Sequence, residues 1–189
     1  MLLPNSKTQT FADFKLTTGV VMAKLTIAYE TYGELAPDGN NAILVCHGYT
    51  NTPHAAGDAL GWGYNLIGPG KAVNTDKYFV VCSNMIGSAY GSSGPGETNP
   101  ATGKPYGPDF PKYTILDMIA AQHDLLDHLE IEQLKAVMGY SYGGHLTFLW
   151  GAKYPDRMRA LIPIAGVLKR EHTLKDIARI RARFADCAG

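Results

Sequence analysis

Four short, mostly apolar runs of residues divide the chain and predict the strands of a buried sheet. The runs occupy residues 42–46, 78–82, 134–138 and 160–165. Continuous apolar runs of this length are typical of strands that are covered on both faces. Two earlier stretches, residues 14–19 and 24–32, predict further strands, and the second is rich in β-branched and aromatic side chains.

Between the second and third runs, the apolar residues change to a helical spacing. The positions on this apolar face are Ile115, Met118, Ile119, Leu125, Leu126 and Leu129. They predict a helix over residues 114–130 that packs on the sheet, and a second helix is expected over 144–154. The polar residues of the first helix that are expected to point away from the sheet are Asp117, His123, Asp124, Asp127 and His128. Strands that alternate with helices in this way predict a mostly parallel sheet flanked by helices.

Residues 83–113 interrupt this pattern with a long segment that has no periodicity. The segment contains six glycines and five prolines, together with the bulky side chains of Tyr90, Tyr106, Phe110 and Tyr113. One interpretation is a flexible insertion. The aromatic side chains favour the other, an ordered loop at the border of a functional site, because disordered segments generally lack such anchors.

Composition limits the class of protein without identifying a function. The 189 residues, of which 46% are hydrophobic, predict a single domain over 1–189. Seventeen basic and seventeen acidic residues balance, so no global field would attract nucleic acid or an anionic membrane. No apolar stretch approaches the roughly 20 residues that span a bilayer. Cys46 and Cys82 lie within predicted strands, and the absence of a signal-like N-terminus favours reduced, buried thiols in a cytoplasmic protein.

The pentapeptide Gly139-Tyr140-Ser141-Tyr142-Gly143 lies between a predicted strand and a predicted helix. A serine with glycine two residues to either side, in this setting, is typical of a nucleophile elbow, where the hydroxyl projects above the sheet. We therefore predict that Ser141 is a nucleophile. A plain strand-to-helix turn is the alternative interpretation.

A nucleophile elbow requires backbone N–H donors for the oxyanion. The residue after the nucleophile, Tyr142, supplies one donor, and the loop after an earlier strand supplies the other. Tyr49 follows the strand at 42–46 and is the predicted second donor, with Thr50 as the alternative. His47 lies on this same loop, so we predict that it supports the loop rather than acting as the catalytic base.

Several longer motifs resemble the homoserine O-acetyltransferase family over roughly residues 15–166. They lie at residues 67–71, 76–80, 91–95, 99–107, 109–111 and 154–156. The resemblance implies an α/β-hydrolase fold with a helical lid, and an acyl-enzyme on Ser141 formed from acetyl-CoA. It implies transfer of the acetyl group to the homoserine hydroxyl, a step of methionine biosynthesis, with small-molecule substrates only. No bound cofactor and no metal is expected, and a homodimer is left open.

The chain departs from the family in two respects. Family members commonly have Gly-Gly-Ser-Met-Gly-Gly at the elbow, whereas Ser141 here lies between two tyrosines, so the acyl acceptor stays open. In this fold the acidic residue and histidine of the triad follow the serine. The histidines after Ser141 are His145, on the same predicted helix, and His172, which with Asp176 four residues on resembles an exposed helix pair. Neither fits the role of base.

We therefore expect residues 1–189 to be the N-terminal part of a longer enzyme, ending before the lid and the last strands. Residues 168–189 would begin the lid, because apolar residues recur at helical spacing within 173–185. A second chain that completes the site and an inactive product are the alternatives. A serine ester hydrolase is the rival activity. The pairs His123–Asp127 and Asp124–His128 are more typical of a solvated helix face than of a metal site.

Overall fold

The computed structural model describes residues 2–167, which form a central sheet with two helices. The strands are β1 (Lys7–Lys15), β2 (Val21–Tyr32), β3 (Ala42–Cys46), β4 (Ile67–Gly68), β5 (Val73–Asn74), β6 (Phe79–Ser83), β7 (Ala136–Tyr140) and β8 (Leu161–Ile164). The helices are α1 (Ile115–His128) and α2 (Tyr142–Lys153). The predicted lid start, residues 168–189, lies outside the described residues, and the single-domain assignment stays a prediction.

The central sheet has six strands in the order β1-β2-β6-β3-β7-β8, and β4 pairs with β5 in a small separate sheet. The pairs β1–β2 and β2–β6 are antiparallel, whereas β3 pairs in parallel with both β6 and β7, and β7 with β8. The prediction of a mostly parallel α/β sheet is confirmed. The predicted first strand at 14–19 is wrong in position, because Gly19 donates its N–H to the Leu16 carbonyl and closes a turn there.

Alternate residues of the central strands face two different layers. Leu44 and Val137 are fully buried towards α1 and α2, where they meet Ile119 and Trp150. Ile43, Val45, Val80, Cys82 and Met138 face the other way and pack on Ala55, Ile67 and Val73. Within the described residues, the helices therefore cover one face, and turns with the small sheet cover the other.

The long glycine-rich segment packs along the edge of β2, as its aromatic anchors predict. Ser93 donates its backbone N–H to the Thr26 carbonyl at 2.7 Å, and its hydroxyl accepts the Thr26 N–H at 2.9 Å. Ser92 Oγ accepts the Ala28 N–H at 3.0 Å, and Asn84 donates its N–H to the Ala28 carbonyl at 2.7 Å. The outward-facing backbone groups of Thr26 and Ala28 are thus all occupied by the segment.

The side chain of Asp117 is buried, although the helical pattern predicts that it points into solvent. The pattern expects this carboxylate to point away from the sheet, but it is only 1% exposed. It accepts N–H groups of Thr17 and of Thr114, each at 2.6 Å, and so joins the start of α1 to the turn after β1. Neither helix within residues 2–167 is long and apolar enough to cross a bilayer.

Candidate active site

Ser141 lies in a strained turn between the end of β7 and the start of α2. Its backbone has φ 54° and ψ −117°, a conformation that side-chain-bearing residues seldom adopt and that costs about 1–3 kcal/mol. The turn is held because Ser141 donates its N–H to the Ile164 carbonyl at 2.9 Å, and its own carbonyl accepts the His145 N–H at 3.2 Å. The residue is exposed, so the hydroxyl is available to a substrate.

Two glycines permit this turn because their neighbours approach too closely for a side chain. A Cβ on Gly139 would lie 2.4 Å from the Gly143 carbonyl oxygen. A Cβ on Gly143 would lie 2.0 Å from the carbonyl oxygen of Cys46, which ends β3. The segment after β3 therefore crosses directly over the elbow, in the place that an oxyanion loop requires.

This crossing brings Tyr49 and Tyr142 together. Their rings meet edge to face, with centroids 5.6 Å apart. Within residues 2–167 the backbone N–H groups of Tyr49, Thr50 and Tyr142 have no hydrogen-bond acceptor, so all three can bind an anion. Tyr142 also opens α2, whose N-terminal end carries partial positive charge. The geometry suits both predicted donors and does not separate Tyr49 from Thr50.

His47 lies beneath the crossing segment and is only 1% exposed. Its Nδ1 is 2.8 Å from the Gly48 carbonyl oxygen, to which it donates in the neutral ring. Burial lowers the pKa of His47, and the hydrogen bond to the Gly48 backbone only partly opposes this effect. His47 is therefore an uncharged group inside the protein, at the base of the oxyanion loop.

No histidine of residues 2–167 is hydrogen-bonded to the Ser141 hydroxyl. His145 turns away along α2, where its Nδ1 lies 2.7 Å from the Val167 carbonyl oxygen. His172, the other downstream candidate, lies outside the described residues. The described part of the chain thus presents the predicted nucleophile, Ser141, and the predicted oxyanion donors without a histidine placed to act as a general base.

His123 and its acidic neighbours form a cluster that the helix pattern describes only in part. His123, Asp124 and Asp127 bring ligand-type atoms within 4.8 Å of one another. Arg157 already supplies the positive charge, because its guanidinium donates to Asp127 at 2.8 Å and contacts His123 Nε2 at 3.1 Å. The predicted pair of His123 and Asp127 is present at 3.3 Å, and the His123 ring is half-buried because it stacks on Tyr154 with centroids 4.4 Å apart. Its contacts indicate a structural role between α1 and the end of α2.

Both cysteines within residues 2–167 are free and buried, as their positions in apolar runs predict. Burial raises the pKa of the Cys46 thiol to about 12, with a hydrogen bond to Gln122 opposing. Burial likewise raises the pKa of Cys82. At neutral pH both are thiols, which react poorly as nucleophiles.

The tyrosines on either side of Ser141 point to different sides of the turn. Tyr140 lines an apolar cavity of about 240 Å³ with Trp62, Met138 and Ile164. Tyr142 points to the other side, where its hydroxyl lies 3.7 Å from the Met118 sulfur. Met118 and Tyr49 line a cavity of about 230 Å³ that the glycine-rich segment closes with residues 85–90. The segment therefore borders the candidate site.

Sequence patterns did not identify the residues that hold Tyr140 in place. The Tyr140 hydroxyl donates a short hydrogen bond to Asn51, and the Trp62 ring lies 5.2 Å from the Tyr140 ring. The segment that carries these residues is fixed to the sheet by His54, which contacts Glu30 at 2.9 Å. The one available signal was Glu30 itself, an acidic residue that directly follows the apolar and aromatic residues 27–29.

Comparison with known proteins agrees with this arrangement. The family of alpha/beta hydrolase folds matches residues 41–185. A homoserine O-acetyltransferase of Moorella thermoacetica is 52% identical over 156 residues, or 79% of this chain and 42% of that protein. A crystal structure of homoserine O-acetyltransferase from Bacillus anthracis has a TM-score of 0.74 at 35% identity, covering 84% of this chain and 47% of that one.

A crystal structure of esterase E22 has a TM-score of 0.79 at 32% identity, covering 85% of this chain and 48% of that one. The chain spans less than half the length of the curated relatives it matches. The predicted resemblance to homoserine O-acetyltransferases is confirmed by these similarities. The chain belongs to the α/β-hydrolase fold family.

Proposed function

We propose that the protein transfers an acyl group through Ser141, in the manner of a homoserine O-acetyltransferase. The observation that carries the proposal is the exposed serine in a positive-φ turn, crossed by a loop whose Tyr49 and Thr50 N–H groups have no acceptor among residues 2–167. The Moorella relative, at 52% identity, supports transfer as the reaction. Acetyl-CoA is the proposed donor, and a small molecule with a hydroxyl group is the proposed acceptor.

In this mechanism Ser141 attacks the thioester carbonyl while a base removes its proton. The Tyr142 N–H and the Tyr49 N–H hold the negative oxygen of the tetrahedral intermediate. The carbon–sulfur bond then breaks, the CoA thiolate takes up a proton, and an acetyl-serine remains. The acceptor hydroxyl loses its proton to the base and attacks the acetyl-serine. The base then returns that proton to Ser141 Oγ as the ester product leaves. The base belongs outside residues 2–167 in this proposal.

Homoserine is the proposed acceptor because the matching curated relatives carry that substrate in their names. The reaction with a soluble amino acid suits a cytoplasmic location, and the two free, buried cysteines support that location. Two tyrosines flank Ser141 where family members commonly have glycine and methionine, so a hydroxyl compound other than homoserine is the alternative acceptor. Release of CoA with homoserine, compared with other hydroxy amino acids, identifies the acceptor.

Ester hydrolysis is a second candidate, favoured by the similarity to esterase E22 at a TM-score of 0.79. The two activities share the acyl-enzyme and differ in whether water or a hydroxyl compound removes the acyl group. A rate of CoA release that is independent of any acceptor would favour hydrolysis. A rate that rises with homoserine would favour transfer.

The test is the acyl-enzyme itself. The purified protein that carries this chain is incubated with acetyl-CoA, quenched in acid, and mapped by peptide mass spectrometry. We expect one acetyl group on Ser141, none in S141A, and an unchanged amount in the control T8A, which removes an exposed hydroxyl of β1. Absence of the adduct on Ser141 would refute transfer from acetyl-CoA. The isolated 189-residue chain, given an activated ester, tests whether residues beyond it are needed for acylation.

A further inference from the structure

A carboxylate lies buried in the sheet on the side away from α1 and α2. Glu30 of β2 is only 2% exposed. Its two oxygens accept the Ser6 hydroxyl at 2.8 Å, the Tyr32 hydroxyl at 2.7 Å and His54 Nδ1 at 2.9 Å. Within residues 2–167, His54 is the one side chain within ion-pair distance that can bring positive charge to Glu30. A buried carboxylate without such a partner would be strongly destabilising.

His54 is held from both sides. Its Nε2 lies 3.0 Å from Asp58 Oδ1, while its Nδ1 contacts Glu30. A ring whose two nitrogens both face carboxylates donates from both, which requires the imidazolium form. Burial lowers the pKa of His54, but hydrogen bonds to Asp58 and to Glu30, followed by the charges of both, raise it above its usual 6.5.

The contacts of His54 with Glu30 and Asp58 form a clamp between the segment 51–63 and β2. The other titratable groups around this clamp stay neutral near physiological pH. The Tyr32 hydroxyl, from β2, has its pKa raised, mainly by burial. The Cys82 thiol, from β6, is fully buried, and burial raises its pKa as well. Tyr32 and Cys82 therefore add no charge to the clamp as His54 titrates.

His54 fixes the segment 51–63 to the sheet, and Asn51 and Trp62, at the two ends of the segment, contact Tyr140. The Tyr32 hydroxyl accepts the Ala55 N–H at 2.8 Å, and the His54 carbonyl accepts the Trp62 N–H at 3.4 Å. The Trp62 indole donates to the Thr52 carbonyl at 3.0 Å. Its ring packs on Tyr140, the residue before the nucleophile.

We propose that His54 is a positioning residue for the Ser141 site, because its ring locks the segment 51–63 to the sheet and that segment holds Tyr140. The effect on acylation rests on the proposed function, whereas the link from His54 to Trp62 does not. The imidazolium stabilises the segment fully below the usual histidine pKa of about 6.5. The stabilisation is lost as the pH rises through the higher pKa of the folded protein, so the segment loosens on the alkaline side.

Two-dimensional NMR of the histidine rings and tryptophan indoles tests the link without any substrate. H54Q identifies the His54 signal, and W62F separates the Trp62 indole from that of Trp150. We expect the His54 ring to titrate above pH 6.5, and the Trp62 indole signal to shift with the same midpoint. D58N should move both midpoints to lower pH, while D76N, which removes an exposed carboxylate elsewhere, should leave them unchanged.

A Trp62 signal that shifts equally in H54Q, or at a midpoint different from that of His54, would overturn the proposal. D58N keeps the test decisive if H54Q does not fold. In the activity assay, H54Q is expected to slow acylation of Ser141 by about tenfold to 100-fold, as displacement of a site by about 1 Å does. The control H128Q, an exposed histidine of α1, should acylate normally.

The two proposals fail in different ways. No acylation in the wild type, with His54 and Trp62 still titrating together, refutes the acyl-transfer function and leaves the clamp in place. Acylation in the wild type and equally in H54Q, at every pH, refutes the positioning role and leaves the function intact.

Discussion

Gly143 offers a direct test of the crossing between the oxyanion loop and α2. A Cβ at this position would lie 2.0 Å from the Cys46 carbonyl oxygen and 2.7 Å from that of His47. Ordinary contact begins at 3.4 Å, so G143A forces the two backbones apart by about 1.4 Å. Neither obstacle is a side chain that can rotate away. The whole loop after β3 must therefore move relative to the elbow.

The expected cost of G143A follows from two opposing effects. Overpacking of a rigid contact costs up to about 3 kcal/mol. Alanine favours the helix over glycine by at most about 1 kcal/mol, which leaves a net loss of about 2 kcal/mol in the free energy of unfolding. For a chain of this size the melting temperature then falls by roughly 4–8 °C. Acylation of Ser141 should fall by about 100-fold, because the oxyanion donors move by more than about 1 Å.

Gly151, on the same helix, supplies the matched control. A Cβ there would meet only the end of the Leu161 side chain, at 2.3 Å, and Leu161 is 38% exposed and free to turn. The free energy of unfolding of G151A should therefore lie within about 1 kcal/mol of that of the wild type. The two variants are compared by circular dichroism on heating, and by the acetyl adduct on Ser141. Equal melting temperatures for G143A and G151A, with equal acylation, would refute the claim that this crossing positions the site.

Two further predictions concern buried polar groups. D117A removes the acceptor of the Thr17 and Thr114 N–H groups. Because both N–H groups would be left unpaired, the free energy of unfolding, measured in urea, should fall by about 3 kcal/mol. A loss below about 1 kcal/mol would contradict this account. Burial raises the pKa of Cys46 to about 12, so iodoacetamide at pH 8 should label Cys46 only after unfolding. Peptide mapping of the native protein measures this, and rapid labelling of Cys46 would show that the thiol is neither buried nor protonated.

The sheet and the elbow were predictable because their signals are local. A run such as residues 42–46 is short, apolar and bounded by polar turns, and β3 occupies those same five residues. The elbow needs only two glycines, a serine and the strand and helix beside them. The strand predicted at 134–138 is shifted to Ala136–Tyr140, because Gly139 and Tyr140 still pair with their neighbours before the turn begins.

Contacts between distant parts of the chain were not predictable from these patterns. Asp117 looks like a solvent-facing residue of a helix until the turn at Thr17, 100 residues earlier, supplies the donors that bury it. Glu30 and His54 are separated by 24 residues and by a strand, and neither has a motif around it. Periodicity reports which face of an element is apolar. It carries no information on which polar groups meet when the elements pack.

The segment that closes the cavity beside Tyr49 has a second consequence through its hydrogen bonds to β2. Beyond the part of β2 that pairs with β6, the backbone of Thr26 and Ala28 would be an open edge, able to add a strand from another molecule. Ser93 and its neighbours occupy those groups. Shortening the loop to enlarge the cavity would therefore uncover a site for intermolecular β-pairing. Substrate access and resistance to aggregation are coupled in the same stretch of chain.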